Sequence, residues 1–326
     1  MEDNTITLRD IYRARHAIAP LVRRTPLVQS SALSQHIGAS VYLKLETVHD
    51  MGAFKIRGAT YRLQNLTEEE RRRGVIAIST GNHGRGVAYA AKRMGIRAVV
   101  CMSKIVSEDK VREIRGLGAE VRILGNNFDD TRAEAERLVA KEGFVMVEPF
   151  DDPYVIAGQG TIGLEILEDL PEVDTVLVPV GGGGLISGIA IALKSAESII
   201  RVIGVSMERG ATMYESQKAG KPVEVEELQT LADNLGGGIG LNNRYTFKLV
   251  QKYVDDIITV SEEQIVAAMK YAYEKERLVT EGAAAVGIAV LLNNLVDDIG
   301  RRVVIIISAR NVNIEVFLRI ISGNKS

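Results

Sequence analysis

Residues 175–188, TVLVPVGGGGLISG, join an apolar strand to an apolar helix through four consecutive glycines. The strand pattern ends at Val180, and the helical stretch LISGIAIALKSA begins at Leu185. Parallel α/β sheets repeat this order of strand, loop and helix, with the loop at the carboxyl end of the strand. The stretch therefore predicts a parallel sheet covered by helices, and it marks one loop where a ligand would bind.

Further short apolar segments repeat the strand pattern along the chain. They are VYLKLE (41–46), VIAIS (75–79), AVVCMS (98–103), EVRIL (120–124), RVIGVSM (201–207), DIITVS (256–261) and VVIIIS (303–308). Amphipathic helical stretches lie between most of them. This alternation predicts an α/β fold with helices on both faces of the sheet. We expect a small mobile domain at 73–149, inserted into a large domain made of 1–72 and 150–326.

The composition is that of an ordinary globular protein. Of 326 residues, 46% are hydrophobic and 25% charged, and 40 basic against 42 acidic side chains give a net charge of −2. There is no basic stripe, so we expect no nucleic acid partner. The longest apolar run, at 283–292, is too short to span a bilayer, and the start MEDNTITLRD does not resemble a secretory signal. We therefore expect a cytoplasmic protein without a membrane partner.

The only cysteine, Cys101, lies within the predicted strand AVVCMS, where we expect a buried residue rather than a catalytic thiol. The four histidines have none of the spacings that zinc sites use.

The four glycines, Gly181, Gly182, Gly183 and Gly184, leave bare backbone N–H groups at the N-terminus of the following helix. Proteins receive phosphate groups in this way. Tight packing of strand against helix is the alternative explanation for the glycines. The run matches neither GxGxxG nor GxxxxGK[ST], so a compact phosphorylated cofactor is favoured over a dinucleotide.

A second segment, MGAFKIRGAT at 51–60, places Lys55 among small and apolar residues. An exposed surface lysine is the simpler interpretation. In an apolar pocket, however, a lysine loses its proton more readily and attacks carbonyl carbons. A reactive lysine together with a phosphate cradle indicates pyridoxal phosphate.

Two more unusual loops follow predicted strands, STGNHG at 79–84 and SARN at 308–311. The first offers two hydroxyls, the amide of Asn82 and the N–H groups ahead of a helix expected to begin at Arg85, a set that could hold a substrate carboxylate. An elaborate helix cap is the alternative. Ser308, at the end of its strand, could present its hydroxyl to a ring nitrogen, although a serine there is also an ordinary structural feature.

These segments, in this order, resemble the serine/threonine dehydratase branch of the fold-type II pyridoxal-phosphate enzymes, the tryptophan-synthase-β-like superfamily. KLETVHDMGAFKIRGA is similar to the family block KxE…GSFKxRGA, STGNHG to S(S/A)GNH(A/G), VGGGGLISG to GGGGLxxG, and SARN to SGGN. The resemblance covers nearly the whole chain. It implies two open, mostly parallel sheets flanked by helices, a cofactor in the cleft between a large and a small domain, and a homodimer.

Carried over by position, the resemblance assigns a role to each motif. Lys55 would form the imine with pyridoxal 5′-phosphate, and Phe54 would pack near the ring. The tetraglycine would hold the phosphate, Asn82 would bond the 3′ oxygen, and Ser308 the pyridine nitrogen. The substrate carboxylate would be held by the loop residues Ser79, Thr80, Gly81, Asn82 and His83.

This chain departs from the family pattern at several positions. The glycines of SGGN are Ala309 and Arg310 here, and Arg310 could reach into the cleft or its rim. In serine racemases of this group a serine serves as the second catalytic base, and Thr80 stands at that position, which favours dehydration over racemisation. Only Glu208 matches the divalent-cation loop of those racemases, and the later aspartate is missing.

The resemblance implies a dehydratase or ammonia-lyase that eliminates water from a 3-hydroxy amino acid such as L-threonine or L-serine, giving a 2-oxo acid and ammonia. Segments 206–213 and 231–247 are particularly similar to the hydroxyectoine-utilisation dehydratases, so an amino acid derived from hydroxyectoine is an alternative substrate. Serine racemase activity is a second alternative. The third is an α/β protein that binds a phosphorylated ligand and has no reactive lysine.

Overall fold

The computed structural model describes residues 6–104, 106–126 and 128–323. The strands in these ranges are β1 (Leu27–Ser30), β2 (Ser40–Leu45), β3 (Val75–Ile78), β4 (Ala98–Met102), β5 (Glu120–Ile123), β6 (Val145–Met146), β7 (Thr175–Pro179), β8 (Arg201–Met207), β9 (Asp256–Val260) and β10 (Arg302–Ile307).

The helices that flank them are α1 (Leu8–Ile18), α2 (Ser31–Ile37), α3 (Ile56–Gln64), α4 (Glu68–Arg73), α5 (Asn82–Met94), α6 (Glu108–Gly116), α7 (Phe128–Glu142), α8 (Pro153–Asp169), α9 (Gly184–Ala196), α10 (Thr212–Ala219), α11 (Thr246–Tyr253), α12 (Glu262–Glu276), α13 (Gly282–Leu292) and α14 (Ile314–Ser322). Two short 3-10 helices lie at Glu46–Val48 and Asp233–Leu235.

The strands form two open sheets. The larger has six strands in the order β1-β2-β10-β7-β8-β9, and the smaller has four in the order β5-β4-β3-β6. Every pairing is parallel except that of β1 with β2. The predicted fold class, α/β with mostly parallel sheets flanked by helices, is confirmed. The small sheet is built from 75–146, but the division into a large and a small domain stays a prediction.

All the strands predicted from apolar segments are present, and each begins and ends within one residue of its prediction. Two strands were missed. The edge strand β1 has two exposed residues among its four, and β6 has only two residues. Neither forms the apolar run by which a strand buried on both faces is recognised.

The core follows from the apolar faces of these elements. Strands β4 and β7 are buried along their whole length, as expected for strands covered by helices on both faces. Helices α8 and α9 approach closely because both carry glycine at the crossing: a Cβ on Gly188 would lie 2.3 Å from the carbonyl oxygen of Ile156 and 2.5 Å from the nitrogen of Gly160. Cys101 is fully buried on β4, and burial raises the pKa of its thiol to about 11, so the buried position predicted for it is confirmed.

Among the described helices, none has both the length and the apolar character needed to cross a bilayer.

Candidate active site

Lys55 lies immediately before α3, as its N-cap residue. Its Nζ atom donates a 2.6 Å hydrogen bond to the carbonyl oxygen of Pro149 and lies 5.3 Å from the centre of the Phe54 ring. The side chain is partly buried, and burial lowers the pKa of Lys55 to about 8. Its amine is therefore neutral in an appreciable fraction of molecules near pH 7, which is what a nucleophilic lysine requires.

The tetraglycine connects β7 to α9 in a confined space. A Cβ on Gly182 would lie 2.2 Å from the Phe150 ring, and one on Gly181 would lie 2.9 Å from the backbone of Leu235. Within the described ranges, no protein group accepts a hydrogen bond from the N–H groups of Gly181, Gly182 or Gly183. The glycines permit the close packing considered from the sequence, and the same N–H groups are available to an anion at the start of α9.

The loop at 79–84 differs from its prediction at one point: α5 begins at Asn82, three residues earlier than the predicted start at Arg85. Gly81 becomes the N-cap, so the loop is shorter, and the N–H groups of the first turn of α5 have no acceptor within the helix. Thr80 is exposed, and the Ser79 hydroxyl accepts a 3.1 Å hydrogen bond from the N–H of Gly81. The side chain of Ser79 therefore shapes the turn.

His83 is buried and donates from Nε2 to the carbonyl oxygen of Val147 at 2.8 Å. Burial, together with the charge of Lys55, lowers the pKa of His83 to about 3. Its ring is therefore neutral, and its Nε2–H is bonded to the backbone of Val147, two residues before Pro149.

Ser308 follows β10 and is buried. Its carbonyl oxygen accepts a 3.1 Å hydrogen bond from the N–H of Phe54, and Ala309 pairs with Ala53 in an isolated antiparallel bridge. These contacts place the end of β10 directly beside Lys55. Arg310, the departure from the family pattern, has an exposed side chain.

Asn82 is buried in a hydrogen-bond cluster that the sequence did not predict. Its Nδ2 donates to both carboxylate oxygens of Glu281, at 2.9 and 3.0 Å, and its Oδ1 accepts from Nδ2 of Asn311 at 2.7 Å. Asn234 donates to the same carboxylate at 2.8 Å. The available signal for Glu281 was its position directly before the wholly apolar helix α13. A charged side chain beside a buried apolar segment is rarely buried unless it has a partner.

A second missed cluster surrounds Arg57, which is 1% exposed. Its guanidinium makes paired hydrogen bonds with Glu46 and with Glu165, and Lys44 bonds the same Glu165 at 2.7 Å. Burial acts to raise the pKa of Glu46, but the charges and hydrogen bonds of Arg57 and His49 together outweigh it and hold that pKa well below its usual range. This cluster fixes the first turn of α3 and hence the backbone next to Lys55.

Glu208, the one residue suggested for a divalent cation, is exposed after the end of β8. In the described part of the chain, no group of three or more His, Cys, Asp or Glu side chains is placed to hold a metal ion.

Contacts between the loops join these features into one site. Pro149 bonds Lys55 while the next residue, Phe150, packs on the tetraglycine. On the other side, Leu235 packs on Gly181, and its neighbour Asn234 belongs to the Asn82 cluster. A partly neutral amine, unengaged amide N–H groups for a phosphate and a buried side-chain amide suit a compact phosphorylated aldehyde. Fold and site thus define an α/β protein whose loops suit a phosphorylated cofactor beside a lysine.

Comparison with known proteins gives the family. The family model described as pyridoxal-phosphate dependent enzyme matches residues 18–309, and the chain belongs to this family. It is 47% identical to an L-threonine ammonia-lyase of Thermotoga maritima, over 97% of this chain and 78% of that protein. It is 42% identical to a catabolic L-threonine dehydratase of Staphylococcus aureus, over 96% of this chain and 94% of that protein.

Solved structures agree. A serine racemase of maize superposes with a TM-score of 0.91 at 33% identity, covering 97% of both chains. Threonine deaminase isoform 2 of Solanum lycopersicum superposes with a TM-score of 0.90 at 33% identity, covering 97% of this chain and 86% of that one. The resemblance to the serine/threonine dehydratase family and the pyridoxal phosphate cofactor are confirmed. The alternative of a phosphate-binding protein without a reactive lysine is excluded.

Proposed function

We propose that the protein is a dehydratase or ammonia-lyase that eliminates water from L-threonine or L-serine and releases a 2-oxo acid and ammonia. The observation that carries the proposal is the partly neutral amine of Lys55, bonded to Pro149 beside the tetraglycine cradle. The L-threonine ammonia-lyase and dehydratase named above support the substrate class.

Each site residue has a proposed task toward the cofactor. Lys55 would bind its aldehyde carbon, and Phe54 would pack near its ring. The N–H groups of Gly181, Gly182, Gly183 and Gly184 would hold its phosphate at the start of α9. Asn82 would bond the 3′ oxygen, and Ser308 the ring nitrogen. When bound, pyridoxal phosphate draws electrons from Cα of an attached amino acid, which acidifies the Cα proton and promotes departure of the β-hydroxyl.

The protein's own groups would do the remaining work. The Lys55 amine would take the proton from Cα, since its lowered pKa makes it a usable base near neutrality. The backbone from Ser79 to His83 would hold the substrate carboxylate at the first turn of α5, where amide N–H groups have no helical acceptor. Closure of the proposed small domain, 73–149, would exclude water.

The direct test is an assay of oxo-acid release from L-threonine, L-serine and a hydroxyectoine-derived amino acid. We expect activity with threonine or serine, a borohydride-reduced cofactor adduct on Lys55, and a loss on the order of 10²- to 10⁴-fold in Lys55→Ala. The control is Lys252→Ala, which changes an exposed lysine of α11. Retained activity in Lys55→Ala would contradict the proposal. Turnover of the hydroxyectoine-derived compound alone would correct the substrate.

Serine racemisation is a second candidate, because the maize enzyme of 33% identity is a serine racemase. Thr80 would then act as the second base, a task that its exposed position permits. Thr80→Ala should abolish formation of D-serine and spare oxo-acid release; equal loss of both would remove Thr80 from this role.

The homodimeric state, the cytoplasmic location and the lack of a nucleic acid partner are also proposals, supported by the family resemblance and the composition. Light scattering of the purified protein tests the first.

A further inference from the structure

Glu281 accepts hydrogen bonds on both oxygens of a carboxylate that is 3% exposed. Oε1 accepts from Nδ2 of Asn82 and from the backbone N–H of Asn311 at 2.8 Å, and Oε2 accepts from Nδ2 of Asn82 and Nδ2 of Asn234. Only an ionised carboxylate can accept on both oxygens without adding a donor of its own. The arrangement of donors therefore matches the charged form of Glu281.

This arrangement determines the orientation of the side-chain amide of Asn82. Its Oδ1 accepts from Nδ2 of Asn311, and its Nδ2 donates to Glu281. In the reversed amide, Nδ2 would face the donor of Asn311 and Oδ1 would face the carboxylate, so neither hydrogen bond could form. The two oxygens of one carboxylate subtend a much smaller angle at Nδ2 than its two N–H bonds do. One hydrogen of Nδ2 therefore serves both oxygens of Glu281, and the second points elsewhere, with no acceptor among the described residues.

We propose that Glu281 is a positioning residue for the cofactor site, whose carboxylate holds the side chain of Asn82 so that an N–H, and not the carbonyl oxygen, is offered to an acceptor on the cofactor. The proposal rests on the role proposed above for Asn82. Glu281 also accepts hydrogen bonds from Asn234 and Asn311. It therefore connects Asn82 to the 3-10 helix at Asp233–Leu235 and to the segment after β10.

The charge of Glu281 is sensitive to pH. Burial raises the pKa of Glu281 to about 7; the hydrogen bond from Asn82 acts to lower it, the nearby charge of Asp233 to raise it further, and the charge of Arg85 to lower it. As the pH falls through this value, the carboxyl gains an O–H among groups that only donate, and one donor loses its acceptor. The hold on Asn82 should therefore weaken in acid.

Two substitutions separate the effect of the charge of Glu281 from the effect of its side-chain length. Glu281→Gln keeps the shape but supplies only one accepting oxygen, and Glu281→Asp keeps the charge on a shorter side chain. The control is Glu276→Gln. Glu276 is the last residue of α12, and its carboxylate accepts a hydrogen bond from the hydroxyl of Ser30. Affinity of the apoprotein for pyridoxal phosphate is measured from pH 6 to 9. The carboxyl of Glu281 is titrated in the apoprotein by ¹³C NMR and identified by its loss in Glu281→Gln.

We expect cofactor affinity to fall on the order of 10- to 100-fold in Glu281→Gln, the range for a hydrogen bond to a charged group, with a smaller loss in Glu281→Asp and none in the control. The carboxyl resonance should titrate near pH 7. The acid-side fall in wild-type affinity should be absent from Glu281→Gln, while KM for threonine changes less than kcat. If Glu281→Gln keeps the cofactor affinity and the kcat of the wild type, the proposal is wrong.

Folding and function can be told apart in this design. If Glu281→Gln does not fold by circular dichroism, Glu281→Asp and the wild-type titration decide: a carboxyl midpoint near 4.5, with affinity in Glu281→Asp equal to wild type, overturns the proposal. If affinity depends on Glu281 as expected but no oxo acid forms from threonine or serine, the positioning role stands and the proposed reaction is wrong.

Discussion

The amine of Lys55 and the ring of Phe150 are linked through a single carbonyl group. Nζ donates its 2.6 Å hydrogen bond to Pro149, and the next residue packs its ring 2.2 Å from where a Cβ on Gly182 would lie. Lys55 and the tetraglycine therefore share one short connection ahead of α8. A substitution at the tetraglycine should therefore also affect the surroundings of Lys55.

The first prediction concerns the rate at which pyridoxal phosphate binds to the apoprotein. Only the neutral amine attacks an aldehyde, and burial lowers the pKa of Lys55 to about 8. The rate of cofactor incorporation, followed by the gain of visible absorbance, should therefore rise with pH and level off above a midpoint near 8.

An ordinary lysine, with a pKa of 10.5, would give a rate still rising at pH 9.5. Such a profile would show that the pocket does not depress the pKa of Lys55. Lys55→Arg is the matched control, since it keeps a positive charge but should show no incorporation at any pH.

The second prediction is that Gly182→Ala weakens both folding and cofactor binding. The added Cβ would collide with the ring of Phe150. Overpacking of this kind costs about 1–3 kcal/mol in the free energy of unfolding, measured with urea. Because Phe150 adjoins the acceptor of Lys55, the cofactor dissociation constant should also rise, by about tenfold for each 1.4 kcal/mol that falls on the binding site.

Gly116→Ala is the control for this change. A Cβ there meets nothing within 4 Å, and alanine is favoured over glycine within α6. Phe150→Leu combined with Gly182→Ala should recover part of the loss. Equal stability of the two alanine variants would show that the tetraglycine is not confined.

The sequence was informative where chemistry and periodicity are local. Strand β8 has the bounds predicted for it, 201–207, because its segment RVIGVSM is rich in β-branched apolar residues. Lys55 and the tetraglycine could also be singled out, since each lies in a short motif with its own physical signature, and their roles toward the cofactor stay predictions. The position of Ser308 at the end of β10 followed from the rule that loops at strand ends meet along one edge. The start of α5 did not, because α5 begins at Asn82 and not at Arg85.

The two buried clusters could not be predicted, because their partners are far apart in the chain. Glu281 is 199 residues from Asn82, and Arg57 is 108 residues from Glu165. No period or spacing links such residues, and a buried charge is unexpected until its partner is known. Strand β1 was missed for a related reason: at a half-exposed sheet edge, its partner β2 and not its own composition makes it a strand.

The third prediction is that Arg57→Met destabilises the protein strongly at neutral pH. The change leaves Glu46 and Glu165 buried without their cation. Breaking a buried ion pair in this way costs about 3–5 kcal/mol. Urea unfolding should show this loss, and activity should fall with it, because Arg57 holds the first turn of α3, which directly follows Lys55. Arg13→Met, which breaks an exposed pair with Asp10, should cost no more than about 1 kcal/mol.

The loss in Arg57→Met should also depend on pH in a definite direction. In the wild type, burial acts to raise the pKa values of Glu46 and Glu165. The charge and hydrogen bonds of Arg57, with smaller contributions from His49 to Glu46 and from Lys44 to Glu165, outweigh burial and hold both pKa values below their ordinary 4.5. The stability they contribute is therefore fully present above pH 4.5 and is lost as the pH falls through the lowered values. In the variant the unpaired carboxyls take up protons more readily, so the difference in unfolding free energy should shrink between pH 7 and pH 4. A difference that stays constant over this interval would show that Arg57 stabilises the fold by packing and not by charge.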